Sequence, residues 1–254
     1  MSFKDHFSTG STDYARYRPR YPEALFDFVV AQCTEKRLAW DCATGSGQAA
    51  IEVARSFDRV IATDGSAEQL KAAQPAPNIE YRQATAEASG LGDQSIDLVT
   101  VAQALHWFDH EKFFVEVRRV SKPTGVLAAW GFALHRLTGS GSGIEALNRL
   151  LVRYYSEIVG PYWPPERRLV EGHYRDLEFP FEELPTPEFR MQLTWDCEAF
   201  IGYLATWSAT RRFQAATGQD PLDQVRAEIR FHWGEPEIER LVEWPLFMRL
   251  GRVL

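Results

Sequence analysis

The chain has 254 residues, with 45% hydrophobic and 25% charged residues and a formal net charge of −7, a balance that fits one large α/β domain or two small ones with a substantial core. The acidic sum and the lack of any Lys/Arg-rich run exclude the basic face of a duplex-binding protein, so no nucleic acid is expected as partner. The three cysteines, Cys33, Cys42 and Cys197, show no metal-type spacing, the N-terminus carries no apolar signal core, and no apolar run reaches membrane-spanning length. Together these predict a reduced, cytoplasmic protein without membrane contact and without a metal; a monomer or homodimer is expected.

Residues 1–20 are polar and aromatic without a clear period, and Pro22 and Glu23 then open a helix continuing through Val30. A short apolar run, residues 38–42, ends in Asp41 and Cys42. A glycine loop and a helix over residues 48–55 follow. Residues 60–64 repeat the theme of a strand ending in an acid, here Asp64, and Ser66 caps a helix over residues 67–73. Residues 79–82, 96–101 and 126–130 read as a third, fourth and fifth strand, with a helix over residues 109–120 before the fifth. Beyond the flexible Gly-Ser stretch at residues 139–143, the spacing predicts a helix over residues 144–158, strands at 189–195 and 242–249, and two helices near 197–215 and 220–232. Strands alternating with helices predict a parallel sheet covered on both faces, with ligands at the carboxyl ends of the strands. The aromatic residues, eight Trp, nine Tyr and sixteen Phe, crowd the second half, as a well-filled core or as the wall of a pocket.

Between the first strand and its helix lies Asp41-Cys42-Ala43-Thr44-Gly45-Ser46-Gly47. Glycine there permits tight turning and close approach of a ligand to the backbone, and Gly45-x-Gly47-x-x-Ala50 satisfies a relaxed dinucleotide fingerprint. Asp41 separates the readings. Its carboxylate would repel a pyrophosphate and attract a cationic ligand, which suits the ammonium and sulfonium of S-adenosyl-L-methionine. Asp64 suits ribose hydroxyls in either case. The competing readings are a nicotinamide-dependent oxidoreductase and a non-catalytic S-adenosylmethionine-binding protein.

The acid followed by a glycine-rich loop resembles the first motif of class I S-adenosylmethionine-dependent methyltransferases, with Ala43 in place of the usual first glycine. That departure is expected to be tolerable if the backbone there is ordinary. Ala84-Thr85-Ala86-Glu87 resembles the family's adenine-binding segment, Ile96-Asp97-Leu98-Val99 its fourth strand, and Lys122-Pro123-Thr124-Gly125 its lead into the fifth. A narrower resemblance to the trans-aconitate methyltransferase-like group is carried by residues 14–22, 103–108, 202–208 and 242–246.

The resemblance implies a Rossmann-like class I methyltransferase fold. In it a mostly parallel seven-stranded sheet has helices on both faces and carries an inserted helical, aromatic cap. The chain is read as a single domain over 1–254: an N-terminal segment and helix over 1–34, a cofactor-binding core over 35–133, a cap insertion over 135–185, and strands and helices completing the sheet over 186–254. Its activity is methyl transfer from S-adenosyl-L-methionine, leaving S-adenosyl-L-homocysteine, to a carboxylate or hydroxyl oxygen of a small acceptor. Candidate cofactor residues are Tyr14, Arg18, Asp41, Cys42, Ala43, Thr44, Gly45, Gly47, Gln48, Asp64, Gly65, Ser66, Thr85, Ala86, Glu87, Gln103, Ala104 and His106. His106 doubles as the candidate base, although a proximity mechanism needs none. Trp107, Tyr162, Trp163 and Arg211 are the candidate substrate contacts.

Overall fold

The computed structural model describes residues 19–253; Tyr14 and Arg18 lie outside them. Helix α1, Glu23–Ala31, leads to strand β1, Leu38–Cys42. Then come α2 (Gln48–Val53), β2 (Arg59–Asp64), α3 (Ala67–Lys71), β3 (Ile79–Gln83), β4 (Ile96–Ala102), α4 (His110–Val120) and β5 (Ser121–Phe132). These five strands pair in parallel in the order β3-β2-β1-β4-β5. Helices on both faces leave no wet side, which is why β1 and β4 read as continuous apolar runs rather than alternating ones. Period-2 alternation then sorts the side chains. Ala39, Leu98 and Trp130 join the core on one face, and Trp40, Val99 and Ala129 the core on the other.

The second half adds β6 (Arg136–Leu137), α5 (Ser142–Arg153), α6 (Arg167–Glu171), β7 (Glu182–Glu183), β8 (Phe189–Trp195), α7 (Cys197–Ala205), α8 (Ser208–Thr217), α9 (Arg226–Trp233) and β9 (Arg240–Arg252). β9 runs antiparallel to β5. Its Val242 and Glu243 face Leu137 and Arg136 of β6 on one side and Leu193 and Gln192 of β8 on the other, so β5 and β6 share one edge of β9 and β7 and β8 the opposite edge. The described residues thus form a nine-stranded sheet rather than the seven-stranded one expected, because the two-residue strands β6 and β7 carry too little pattern to be read in advance.

Three boundaries also differ. The fifth strand begins at Ser121, not residue 126. Ser121 pairs with Ile96, and Lys122 to Gly125 then bulge out before Val126 meets Leu98. The helix expected near 197–215 breaks at Thr206 and Trp207, where Thr206 Oγ1 donates to the Tyr203 carbonyl at 2.6 Å and Thr210 Oγ1 to the Leu204 carbonyl at 2.8 Å. Hydroxyls that take the terminal carbonyls compete with the next helical turn. The helix expected near 220–232 likewise divides into a short 3-10 turn, Pro221–Gln224, and α9.

One buried carboxylate ties the strand entrances together. Asp97 Oδ2 accepts the Arg37 and Leu38 backbone N–H groups at 3.0 and 2.9 Å, and Oδ1 accepts Lys122 Nζ at 2.6 Å. Replacement by alanine strands two amides and an ammonium. Asp97→Ala should therefore lower unfolding free energy by about 3 kcal/mol, read as a lower urea midpoint at constant slope, with Asp97→Asn losing less.

Candidate cofactor and methyl-transfer site

The carboxyl ends of β1, β2 and β4 converge where the glycine loop leaves β1. Asp41 is 1% exposed. Its Oδ1 accepts Thr100 Oγ1 from β4 at 2.6 Å and its Oδ2 accepts Thr44 Oγ1 from the loop at 2.5 Å. Burial pushes this carboxyl up to about 6, against the downward pull of those hydroxyls. Asp64 accepts Gly45 N–H and Ser66 N–H, each at 2.8 Å, and so clamps the first loop to the second. Glu87 Oε1 accepts Asp109 N–H at 3.0 Å, and the negative charges of Asp41, Glu87 and Asp64 all reach Cys42, whose buried thiol is held well above its ordinary pKa. Cys42 is therefore a packing residue of the loop rather than a thiolate.

Gly45 and Gly47 have φ of +57° and +83°. A Cβ on Gly47 would also meet the Tyr81 hydroxyl from β3, so another residue there would need Tyr81 to move as well as a strained backbone. Ala43 sits at φ +53°. The backbone there is not ordinary, and the expectation that alanine is harmless is corrected: an L-residue in the left-handed region carries about 1–2 kcal/mol of strain.

Gln48 follows directly. Its Nε2 donates to the Pro19 carbonyl at 3.4 Å, while its Oε1 is buried without a donor. Among the described residues this buried acceptor has no donor, and the carboxylates of Asp41, Asp64 and Glu87 near Cys42 favour a cationic ligand over a pyrophosphate. Gly65 gives its carbonyl to Gln83 Nε2 at 3.0 Å, and Ser66 Oγ caps α3. Thr85 is exposed and Ala86 buried in the turn after β3.

The far side of the site departs from expectation. Gln103, at φ +55°, uses its side-chain amide like a strand partner: Oε1 accepts Phe132 N–H at 2.7 Å and Nε2 donates to the Phe132 carbonyl at 3.5 Å. It locks the ends of β4 and β5 together. Ala104 leads into the turn Leu105–Trp107, where His106 is 6% exposed and its Nδ1 meets the Tyr174 hydroxyl at 3.0 Å. Burial, then the charges of Arg167 and His110, lower its pKa to about 3. The lowered pKa keeps the ring neutral at pH 7 and makes it a weaker proton acceptor than an exposed histidine. His110 turns its Nε2 to the Leu105 carbonyl at 3.0 Å.

Tyr174 was not foreseen. It and His173 are consecutive non-glycine residues at φ +58° and +55°, a strain that surrounding contacts hold in place. Arg249 Nη1 donates to the Tyr174 carbonyl at 2.6 Å, and the His173 ring stacks on Phe247 at 4.7 Å. Arg167 lies 4.9 Å over the Trp163 ring and donates Nε to the Tyr155 hydroxyl at 2.9 Å. Tyr162 packs on Phe213 at 4.9 Å and Trp163 on Trp207 at 5.5 Å, and both are partly buried against the core. Trp107 contacts the His106 ring at 4.7 Å. Arg211 lies on α8, with its backbone N–H on the Trp207 carbonyl.

The strain at Ala43 has a measurable consequence. Ala43→Gly relieves it and gives back part of the gain as unfolded-chain entropy, so the variant should be about 0.5–1 kcal/mol more stable in urea unfolding. A loss of stability would show that the alanine methyl packs more favourably than its backbone strains.

A family model described as a methyltransferase domain matches residues 40–129, from the end of β1 to within β5. A Dictyostelium discoideum protein provisionally named a methyltransferase is 33% identical over 228 residues, 89% of this chain and 86% of that protein. An uncharacterized methyltransferase of Mycobacterium tuberculosis is 30% identical over the same shares of the two chains. A solved structure from Anaeromyxobacter dehalogenans, provisionally named a type II methyltransferase, is 40% identical and superposes with a TM-score of 0.85 over 93% of this chain and 98% of that one. These relationships extend past the glycine loop into the second half and decide against the nicotinamide reading. The chain belongs to the class I S-adenosylmethionine-dependent methyltransferases.

Proposed function

We propose that the enzyme transfers the methyl group to an oxygen, carboxylate or hydroxyl, of a small acceptor, as a member of the trans-aconitate methyltransferase-like group. The observation that supports this best is the buried Asp41 carboxylate at the end of β1, held by two threonine hydroxyls and without a cation among the described residues, a charge matched to a cationic cofactor. Residues 41–48 and 64–66 hold the methionine and ribose parts, and residues 85–87 the adenine. Tyr14 and Arg18 belong to the same site by resemblance. The segment 135–185 serves as a cap, since it carries Tyr174 to His106. The acidic net charge supports a small-molecule acceptor in the cytoplasm over a nucleic acid.

Held by residues 41–48, 64–66 and 85–87, the cofactor would supply an electrophilic methyl group on a sulfonium. The chain's own part is orientation and exclusion of water. Gln103 fixes the end of β4 through both its amide groups, and His106 and Tyr174 form a neutral, buried wall. A carboxylate acceptor loses no proton, so this wall needs no base.

Two measurements test the reading. With a folded-state pKa of about 6 against an ordinary aspartate value, Asp41 holds more proton in the folded than in the unfolded chain between roughly pH 4 and 6, so the cofactor-free fold loses stability as pH rises through that window. The cationic cofactor prefers the carboxylate form. Its affinity should therefore rise with pH through about 6 and then level, and Asp41→Asn should lose that dependence together with about tenfold or more in affinity. A wild-type affinity flat from pH 5 to 8 would refute the role.

For the reaction, methyl-labelled cofactor is incubated with a panel of small carboxylic acids and phenols. Label should pass to an oxygen, and His106→Asn should leave the pH profile of the rate unchanged. Tight cofactor binding with no transfer across the panel would speak against a small oxygen acceptor, and a pH profile that moves in His106→Asn would restore the histidine as a proton acceptor.

A further inference from the structure

A cleft of about 410 Å³ opens where β9 passes from β5 to β6 and β8. Leu246 faces Phe132, the last residue of β5, and Glu243 faces Arg136 of β6. Pro245, between them, sits where β5 has left the ladder and β6 has not begun, a break that tolerates a residue without an N–H. Phe189, Leu246 and Phe247 give the cleft apolar walls. Arg136, Arg175 and Arg190 bring three guanidiniums against two carboxylates, Glu188 and Glu243. The volume suits a small ligand, and the charged lining beside a short apolar wall suits one that is itself charged.

The two carboxylates do not neutralise the three cations equally. Glu243 is 4% exposed and fully engaged: Oε1 accepts Arg136 Nη2 at 2.8 Å, and Oε2 accepts Gln192 Nε2 at 3.0 Å and Arg190 Nη1 at 3.4 Å. Glu188 has a side chain 94% exposed and only reaches Arg190, at 4.0 Å. Arg175 stands apart. It donates Nη2 to His173 Nδ1 at 3.0 Å, a neutral acceptor, and makes no ion pair among the described residues. That bond steadies the guanidinium at the cleft and leaves its other donors available, because a guanidinium carries five. His173 is itself braced, stacked on Phe247 at an interplanar angle of 13°.

The cleft also adjoins the reaction edge of the sheet. A Cβ on Gly131 would meet Phe247 Cζ at 2.6 Å and Gln103 Oε1 at 2.7 Å, so the missing side chain lets the Phe247 wall close against the end of β4. On its other side the Phe247 ring packs on Tyr174 at 5.1 Å, whose hydroxyl meets His106.

We infer that this cleft receives the methyl acceptor, and that Arg175 takes a carboxylate of it in its planar fork while Phe189, Leu246 and Phe247 cover an apolar body. The inference rests on the proposed transfer to a small acceptor and names its class: a carboxylic acid with an aromatic or branched aliphatic body. Rigid bidentate pairing makes Arg175 specificity-determining, and lysine replaces it only in part.

Cinnamate and cinnamamide, which differ in charge and hardly in shape, are the probes, titrated by calorimetry into the full chain with and without saturating S-adenosyl-L-homocysteine. The expected result is at least tenfold tighter binding of cinnamate to the wild type in both states. The preference should vanish in Arg175→Gln and survive in part in Arg175→Lys, with homocysteine-cofactor affinity equal in all three chains. Equal binding of the two probes to the wild type, no binding of either, displacement of the cofactor product by cinnamate, or a preference that persists in Arg175→Gln would each overturn the inference. Failure to bind S-adenosyl-L-homocysteine would count against the proposed cofactor cradle alone, because the titration without it still reads the cleft.

Discussion

A carboxylate enclosed at the centre of the sheet's working edge is the constraint around which the molecule is arranged. Asp41 sits at the end of β1 with almost no exposure, and two threonine hydroxyls, one from the loop and one from β4, are its hydrogen-bonding side chains. A buried anion is strongly unfavourable unless hydrogen-bonded and matched by a cation. The hydroxyls meet the first need and draw three segments together. The second need is left open for a cationic ligand, so the carboxylate that holds the loop in shape is also the one proposed to meet the cofactor. Asp64 extends the same logic to β2, since its two oxygens hold backbone amides from both loops.

The strained backbone collects at this edge. Ala43, Gln103, His173 and Tyr174 all have positive φ without being glycine, and each is held by a partner that gains from the placement: the loop for Ala43, the β5 terminus for Gln103, Phe247 for His173 and His106 for Tyr174. Strain of this kind persists only where the surroundings over-determine it. A fifth such residue, Gln94 at φ +46°, precedes β4 at the other end of the strands, so four of the five non-glycine residues with positive φ among the described residues lie along this rim.

β9 connects that rim to the rest. It pairs with β5 and β6 on one edge and with β7 and β8 on the other, so the cofactor-binding half and the second half share one sheet. The aromatic surplus mostly supports this junction. Trp244 packs against Trp195, Tyr203 and His135 within 5.0–5.6 Å, and Tyr162 and Trp163 pack against α8 and the residue before it. Large rings bury much area with few rotamers to fix, which suits a region built from short helices and turns that have little regular structure of their own.

The amino-acid sequence by itself determined the alternation of strands and helices, the acid-ended strands with a glycine loop between them, and the cationic character of the ligand. These are local: apolar period, glycine at a turn and the sign of one charge are written in neighbouring residues. The strand at 189–195 and the first five strand positions were legible for the same reason. Tertiary structure alone decided the two short strands beside β9, the break of the helix at Thr206, and the engagement of Gln103 with β5. It also decided the burial of His106 by distant segments, which lowers its basicity. Tyr174 and Arg175 lie about seventy residues from His106 in the chain and carry no motif. Two successive left-handed residues bring one of them to the histidine and the other to the cleft, and no local pattern announces a conformation that only surrounding packing makes favourable.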